Sequence, residues 1–371
     1  MTTWFTAADC RLDDLRALVE RKTELTDYPH AADVESNVLV YDAARLPDTR
    51  EVRGELITAL REGPGVVVFK GAFAPAVVDR ATAVFAALIE EQKAAGVAGG
   101  DHFAKPGAND RVWGALDKFA LRDPAAFAAY YDNTTLALIS DAWLGHGYQL
   151  TSQVNVVNPG GQAQVAHRDY HLGFMSREQA ERYPAHIHLL SPALTLQGAV
   201  AHVDMPLETG PTLYLPFSQT YPPGYLAFHQ PEFTAYFNDH HVQLPLAKGD
   251  AAFFNPAVFH GAGTNRSADV RRMANLLQVS SPFGRAMESV DRTAMAIAVY
   301  PVLRDYSGNA DRVIAATAEG YAFPTDLDLD QPIDGLAPLT QADLMRRALA
   351  GGWEPERFTT AVAGRPYHAE A

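Results

Sequence analysis

The chain has 371 residues, 47% of them hydrophobic and 20% charged, with a formal net charge of −14 and a pI near 5.3. This balance excludes disorder as the default state and offers no electrostatic footprint for nucleic acid or an anionic membrane surface, so neither is expected as a partner. The single Cys10 rules out an internal disulfide and a cysteine-ligated cluster; with no signal-like start and no apolar run near ~18 residues, the expected location is the cytoplasm.

In chain order, Leu12, Leu15, Leu18 and Val19 give helical spacing within 9–24, and Val52, Leu56, Ile57 and Leu60 give a second helix stopped at Gly63. The run Gly65-Val66-Val67-Val68-Phe69-Lys70 predicts a strand, and Pro75 opens a helix that continues to about residue 93. Residues 95–111, rich in glycine around Asp101-His102-Phe103, predict a long loop, either one that covers a binding site or a plain surface loop. Helical patterns follow at 123–131 and 134–144.

From Tyr148 to Val157 the period changes to two, and further strands are expected at 163–169, 194–203, 211–215, 242–246, 250–254, 258–262 and 271–280. Many short strands without intervening helices predict a mainly β fold with flanking helices, a double-stranded β-helix or jelly roll of the cupin type. The expectation is a single domain over 1–371: an N-terminal helical flank (1–146) with one or more strands, a metal-bearing core (147–285) and a C-terminal extension (286–371). The extension carries a Pro/Asp-rich stretch at 324–338 and a helix at 340–350.

Within that core, His167 and Asp169 stand at i and i+2, so on a strand both point to one face while Arg168 points away. His260 ends a later strand-like run before a glycine-rich turn. Two imidazoles and one carboxylate on one face of an octahedron leave three positions open, the arrangement of non-haem Fe(II) oxygenases. The signal is not unique. His202-Val203-Asp204 repeats His-x-Asp, and His186-Ile187-His188 invites a cupin-like ligand set, although no glutamate follows it at a useful distance and a strand-edge pair is the plainer reading. Asp239-His240-His241 reads as a solvated turn.

Fe(II) that activates O2 needs a two-electron cosubstrate, and 2-oxoglutarate supplies it if a cation anchors its distal carboxylate. A guanidinium matches that group in a bidentate manner. Arg271, at the start of the strand after His260, is the candidate; by strand alternation Arg272 is expected to face the other side.

Several elements in order resemble the phytanoyl-CoA dioxygenase family of Fe(II)/2-oxoglutarate oxygenases: Gln164-x-x-His167-x-Asp169, then Glu208-Thr209-Gly210-Pro211-Thr212 through Gln219, then His260 and Arg271. The resemblance covers roughly residues 50–285. It implies His167, Asp169 and His260 as iron ligands, Arg271 as the anchor of 2-oxoglutarate, and Gln164 and Thr212 as further cosubstrate contacts. It also places His202-Val203-Asp204 on a strand that supplies no ligand. The chain departs from the family pattern at Ala166, Thr209 and Phe217-Ser218-Gln219, which alters the pocket wall. A carboxylate at Asp169 disfavours halogenation, because halogenating relatives carry a small residue there.

The implied activity is hydroxylation of an unactivated C–H bond of a small molecule, consuming O2 and 2-oxoglutarate and releasing succinate and CO2. An iron oxygenase of the same fold that does not use 2-oxoglutarate, or a non-catalytic binding protein, are the alternatives. Strand facing nominates Gln153, Asn155, Tyr170, Phe174 and Asn275 as substrate contacts. Substrate identity, oligomeric state and the choice between hydroxylation and desaturation, epoxidation or cyclisation, which need only a different substrate pose, are left open.

Overall fold

The computed structural model describes residues 2–96, 107–324, 326–328, 331–332 and 335–364. The expected loop at 95–111 therefore falls mostly outside the described residues; its last part, from Asn109, is a strand. Among the described residues there are ten strands: β1 (Asp33–Glu35), β2 (Val38–Asp42), β3 (Val66–Lys70), β4 (Asn109–Val112), β5 (Gln149–Val157), β6 (Thr195–Ala201), β7 (Leu213–Leu215), β8 (Ala251–Phe254), β9 (Phe259–Gly261) and β10 (Arg272–Ser280). Eight form a large mixed sheet in the order β1-β2-β3-β8-β6-β10-β5-β4, and β7 pairs with β9 in a small one. Only β2–β3 is parallel.

The small sheet is wider than its two strands. His167 bridges to His260 on one side, and Tyr214 bridges to Val242 on the other. The expected strand at 163–169 is thus reduced to one bridge, at His167, and that at 242–246 to two, at Val242 and at Leu246, which pairs with Met205.

Helices account for 43% of the structure and strands for 17%, so the expectation of a mainly β chain is corrected. Most predicted strands are there, but much of the rest is helix. Arg292–Leu303 carries apolar residues around most of its circumference because it is buried, which hides the amphipathic stripe that sequence reading relies on. Where helix starts are visible in sequence they hold. Thr49 accepts from the Val52 N–H, Asn133 accepts from the Leu136 N–H, and Pro75 sits in the first turn of Pro75–Ala94. Two histidine pairs are also relocated: His186 and His188 lie on the helix Ala185–Leu190, and His240 ends the helix Pro231–His240, where it stacks on Tyr236.

The main apolar core lies on the outer face of the large sheet, under the helices, and a second cluster packs behind the small sheet. Between the two sheets lies a cavity. Among the described residues, no helix is long and apolar enough to cross a membrane.

Candidate metal centre

His167 and His260 are brought together by reciprocal backbone bonds. The His167 N–H donates to the His260 carbonyl at 2.9 Å, and the His260 N–H to the His167 carbonyl at 3.1 Å. Each ring is then fixed by its own chain: Nδ1 of His167 lies 2.9 Å from the Val165 carbonyl, and Nδ1 of His260 lies 2.9 Å from the Val258 carbonyl. A carbonyl only accepts, so the proton sits on Nδ1 and the lone pair on Nε2. Both Nε2 atoms face Asp169, at 3.6 Å from Oδ1 for His167 and 3.3 Å from Oδ2 for His260. Ligand atoms of all three residues lie within 4.8 Å of one another, and this is the group of at least three His, Cys, Asp or Glu side chains with metal-binding geometry among the described residues.

Burial pushes the Asp169 carboxyl pKa up, but positive charge facing it, from protonated His167 and His260 or from a metal ion held in place of their Nε2 protons, together with a hydrogen bond from Gln197 Nε2, outweighs burial and holds the group well below the usual carboxylate range. The result is an ionised oxygen ligand beside two neutral imidazole nitrogens, a donor set that fits Fe(II).

Behind this face the expected outward turn of Arg168 leads to a buried clamp. Its Nη2 donates to the carbonyls of Ser218 (2.5 Å) and Tyr221 (3.0 Å), and the guanidinium lies 5.0 Å from the ring centres of both Tyr225 and Phe259. A side chain at Gly224 would collide with that guanidinium, so glycine is needed there for the close approach. Phe259 precedes His260. One arginine therefore ties the His167–Asp169 segment to the His260 strand. Tyr170 and His171 follow the ligands with positive φ of 63° and 44°, turning the chain sharply away from the centre.

The cavity measures about 750 Å³. Its lining includes all three candidate ligands together with Gln164, Thr212, Gln153, Asn155 and Phe174, as expected, but not every expected residue. Arg271 lies outside it, with its side chain 54% exposed and bonded to Asp110 (2.8 Å) and Asn158 (3.1 Å). Arg272 lines it instead. The pairing Arg272↔Val157, Ala274↔Asn155 and Leu276↔Gln153 puts the even-numbered residues of β10 on the cavity side. The same phase displaces Asn275, whose Nδ2 reaches the Tyr130 hydroxyl at 3.3 Å on the opposite face. Tyr170 is buried outside the lining, with its ring 6.0 Å from that of Phe174.

Arg272 is the feature the sequence reading missed. It is buried, and its Nη1 donates to the carbonyls of Thr209 (3.1 Å) and Gly263 (3.2 Å) with no acidic partner among the described residues; burial pushes its pKa down to about 10, still charged at neutral pH. A buried cation paired only with carbonyls calls for an anion. Gly210, with φ of +70°, lets the chain pass against the Thr264 carbonyl and places Thr209 under that guanidinium. Gln197, Arg111, Trp113, Gln278 and Met287 are further lining residues that the sequence reading missed, since they come from strands and loops far apart in sequence.

The family model described as phytanoyl-CoA dioxygenase matches residues 62–273. The chain belongs to the phytanoyl-CoA dioxygenase family. Enzymes of this family use Fe(II), 2-oxoglutarate and O2. "Dioxygenase cdmD" of Talaromyces verruculosus is 32% identical over 119 residues, which are 31% of this chain and 34% of that protein, so the match spans about a third of the relative's length. Among solved structures, the non-heme alpha ketoglutarate dependent epimerase SnoN from nogalamycin biosynthesis is 22% identical, with a TM-score of 0.42 over 62% of this chain and 80% of that one. AviO1 from Streptomyces viridochromogenes Tue57 is 17% identical, with a TM-score of 0.45 over 63% and 97% of the two chains.

Proposed function

We propose that this member of the phytanoyl-CoA dioxygenase family is an Fe(II)- and 2-oxoglutarate-dependent dioxygenase that hydroxylates a small molecule, and that it works as a single cytoplasmic domain. The observation that carries the proposal is that one cavity holds both the His167–Asp169–His260 donor set and the acid-free guanidinium of Arg272. We read the two facing sheets as a distorted double-stranded β-helix, its small sheet completed by the bridges at His167 and Val242.

His167 Nε2, Asp169 and His260 Nε2 would hold the iron, and Arg272 would take the distal carboxylate of 2-oxoglutarate, with Thr212 and Gln164 beside it. Bound iron with this cosubstrate supplies the oxidising power for C–H cleavage. The chain's own residues orient and exclude: the two backbone-held imidazoles would turn their Nε2 lone pairs toward the ion, Gln197 fixes the Asp169 carboxylate, and Phe254, 4.8 Å from the His260 ring centre, closes the wall beside it.

Anaerobic addition of Fe(II) and 2-oxoglutarate should produce a metal-to-ligand charge-transfer band in the visible spectrum. His167→Ala should lose the band. Iron-loaded wild type that binds the metal yet shows no band on saturating 2-oxoglutarate would overturn the proposal.

A further inference from the structure

The cavity wall on β5, β6 and β10 carries a band of carboxamides. Gln197 and Gln278 are direct cross-strand partners on β6 and β10, and Gln153 and Asn155 follow on β5, all facing the cavity. The band starts at the candidate metal centre, where Gln197 Nε2 donates to Asp169, and ends at the sheet edge, where Arg111 on β4 donates to Gln153 Oε1. Two acceptors in it, Asn155 Oδ1 and Gln197 Oε1, are buried without a hydrogen-bond partner among the described residues. The loops across the cavity contribute the apolar side chains Phe174, Met175 and Met287.

A carboxamide offers one acceptor and two donors without charge. A wall of them matches a ligand that carries several neutral oxygen groups at fixed spacing, whereas an alkyl chain would leave the buried acceptors unmet. Charged substrates fit poorly. Among the described lining residues the arginines and lysines are Arg272 and Arg111, and Arg111 already serves Gln153 and feels the nearby Glu288 carboxylate, so the three phosphates of a coenzyme A ester find too few cations. Among the described lining residues Asp169 is the one acid, and it belongs to the metal centre, so a free amino acid finds no spare carboxylate there for its ammonium group.

We infer that the substrate is a neutral ring bearing several hydroxyl or carbonyl groups, its oxygens against Gln153, Asn155 and Gln278 and its apolar face against Phe174. This rests on the dioxygenase reading and narrows its substrate class. Saturated sugar rings and hydroxylated aromatic rings share the required chemistry.

The test is anaerobic calorimetry on protein loaded with Fe(II) and 2-oxoglutarate, titrated with four probe sets: methyl glycosides and disaccharides, flavonols, palmitoyl-CoA, and free L-amino acids. Saturable binding is expected within the glycoside or flavonol set, and which of the two responds identifies a saturated or an aromatic ring. Asn155→Ala should weaken it roughly three- to tenfold through the lost hydrogen bond. Phe174 is 59% exposed, so Phe174→Ala keeps the fold and should weaken it roughly threefold or more. Saturable binding of palmitoyl-CoA or amino acids alone, neutral-ring binding indifferent to both substitutions, or no neutral-ring binding while the charge-transfer band is present, overturns this inference. Absence of the band overturns the reading beneath it.

Discussion

The second His-x-Asp pair shows what a histidine does when burial, rather than a ligand, sets its role. His202 is almost fully buried, and its neighbours form a chain of bonds with one consistent direction. Asn275 Nδ2 donates to the Tyr130 hydroxyl (3.3 Å), which donates to His202 Nε2 (3.0 Å); His202 Nδ1 donates to Thr82 Oγ1 (2.8 Å), which donates to the Val78 carbonyl (2.8 Å). A protonated ring would break the Tyr130 link, and burial pushes the pKa down to about 3. Between that value and the unfolded value near 6.5, the unfolded chain binds the extra proton. The neutral ring therefore contributes full stability above about pH 6.5, and the contribution falls as pH drops toward 3, by up to ~1.4 kcal/mol per unit. Urea unfolding should show wild type losing about 1.6 kcal/mol from this source between pH 6.5 and 5, and His202→Gln, less stable at pH 7, should have a shallower slope in that window. Equal slopes would remove His202 from the account. Sequence alone separates this pair from His167 and Asp169 only through the company each keeps: Gln164 precedes the latter, whereas nothing near His202 in sequence announces Tyr130 or Thr82.

At the level of one strand, β10 explains two of the three expected site residues that lie outside the cavity, Arg271 and Asn275, the third being Tyr170. Arg271 and Asn275 belong to the odd phase, and a strand read one residue out of phase exchanges every side chain between its faces. The phase is partly legible in composition. Met273, Leu277 and Val279 are apolar and belong to the helix-covered core, while Arg272, Ala274 and Gln278 line the cavity; Leu276 in the cavity wall and Asn275 against Tyr130 run against that contrast and blur it. Choosing the arginine by its distance from His260 ignored that contrast. The consequence is testable, because the two arginines are adjacent and differ only in facing. Arg272→Leu should weaken 2-oxoglutarate binding to the iron-loaded protein roughly 10- to 100-fold, the scale of a lost charge-assisted pair. Arg271→Leu, which removes an exposed pair with Asp110, should change it less than about twofold. The reverse order in an anaerobic titration would return the anchor to Arg271. The strand that carries the metal motif is less regular than its sequence: 163–169 reads as extended, and the amides of Gln164, His167 and Asp169 donate to the carbonyls of Ala262, His260 and Pro256, yet the ladder is regular enough for a bridge at His167 alone before the sharp turn at Tyr170.

Across the whole molecule, the segment expected as a C-terminal extension supplies part of the main core. Met295, Tyr300, Ile314, Met345 and Phe358 belong to the same buried cluster as Leu150 of β5 and Leu277 and Val279 of β10. Phe358 on Pro355–Ala363 stacks on Tyr300 with ring centres 4.1 Å apart and planes at 18°, and the Tyr300 hydroxyl donates to the Trp353 carbonyl at 2.7 Å. The large sheet is thus held between a cavity on one face and these helices on the other. Its β10 strand touches both, with Arg272 and Gln278 turned inward and Leu277 and Val279 resting on the helical core. Truncating Phe358 to alanine leaves a void in that core and should cost about 3–5 kcal/mol, although the residue belongs to none of the elements that carry the candidate ligands. If the helices and the sheet unfold as one body, the loss should appear as a single displaced transition with the same midpoint by far-UV circular dichroism and by the Fe(II)–2-oxoglutarate band. If the C-terminal helices are an independent layer, Phe358→Ala should instead split the curve, with helical signal lost at low urea and the band retained to a higher midpoint.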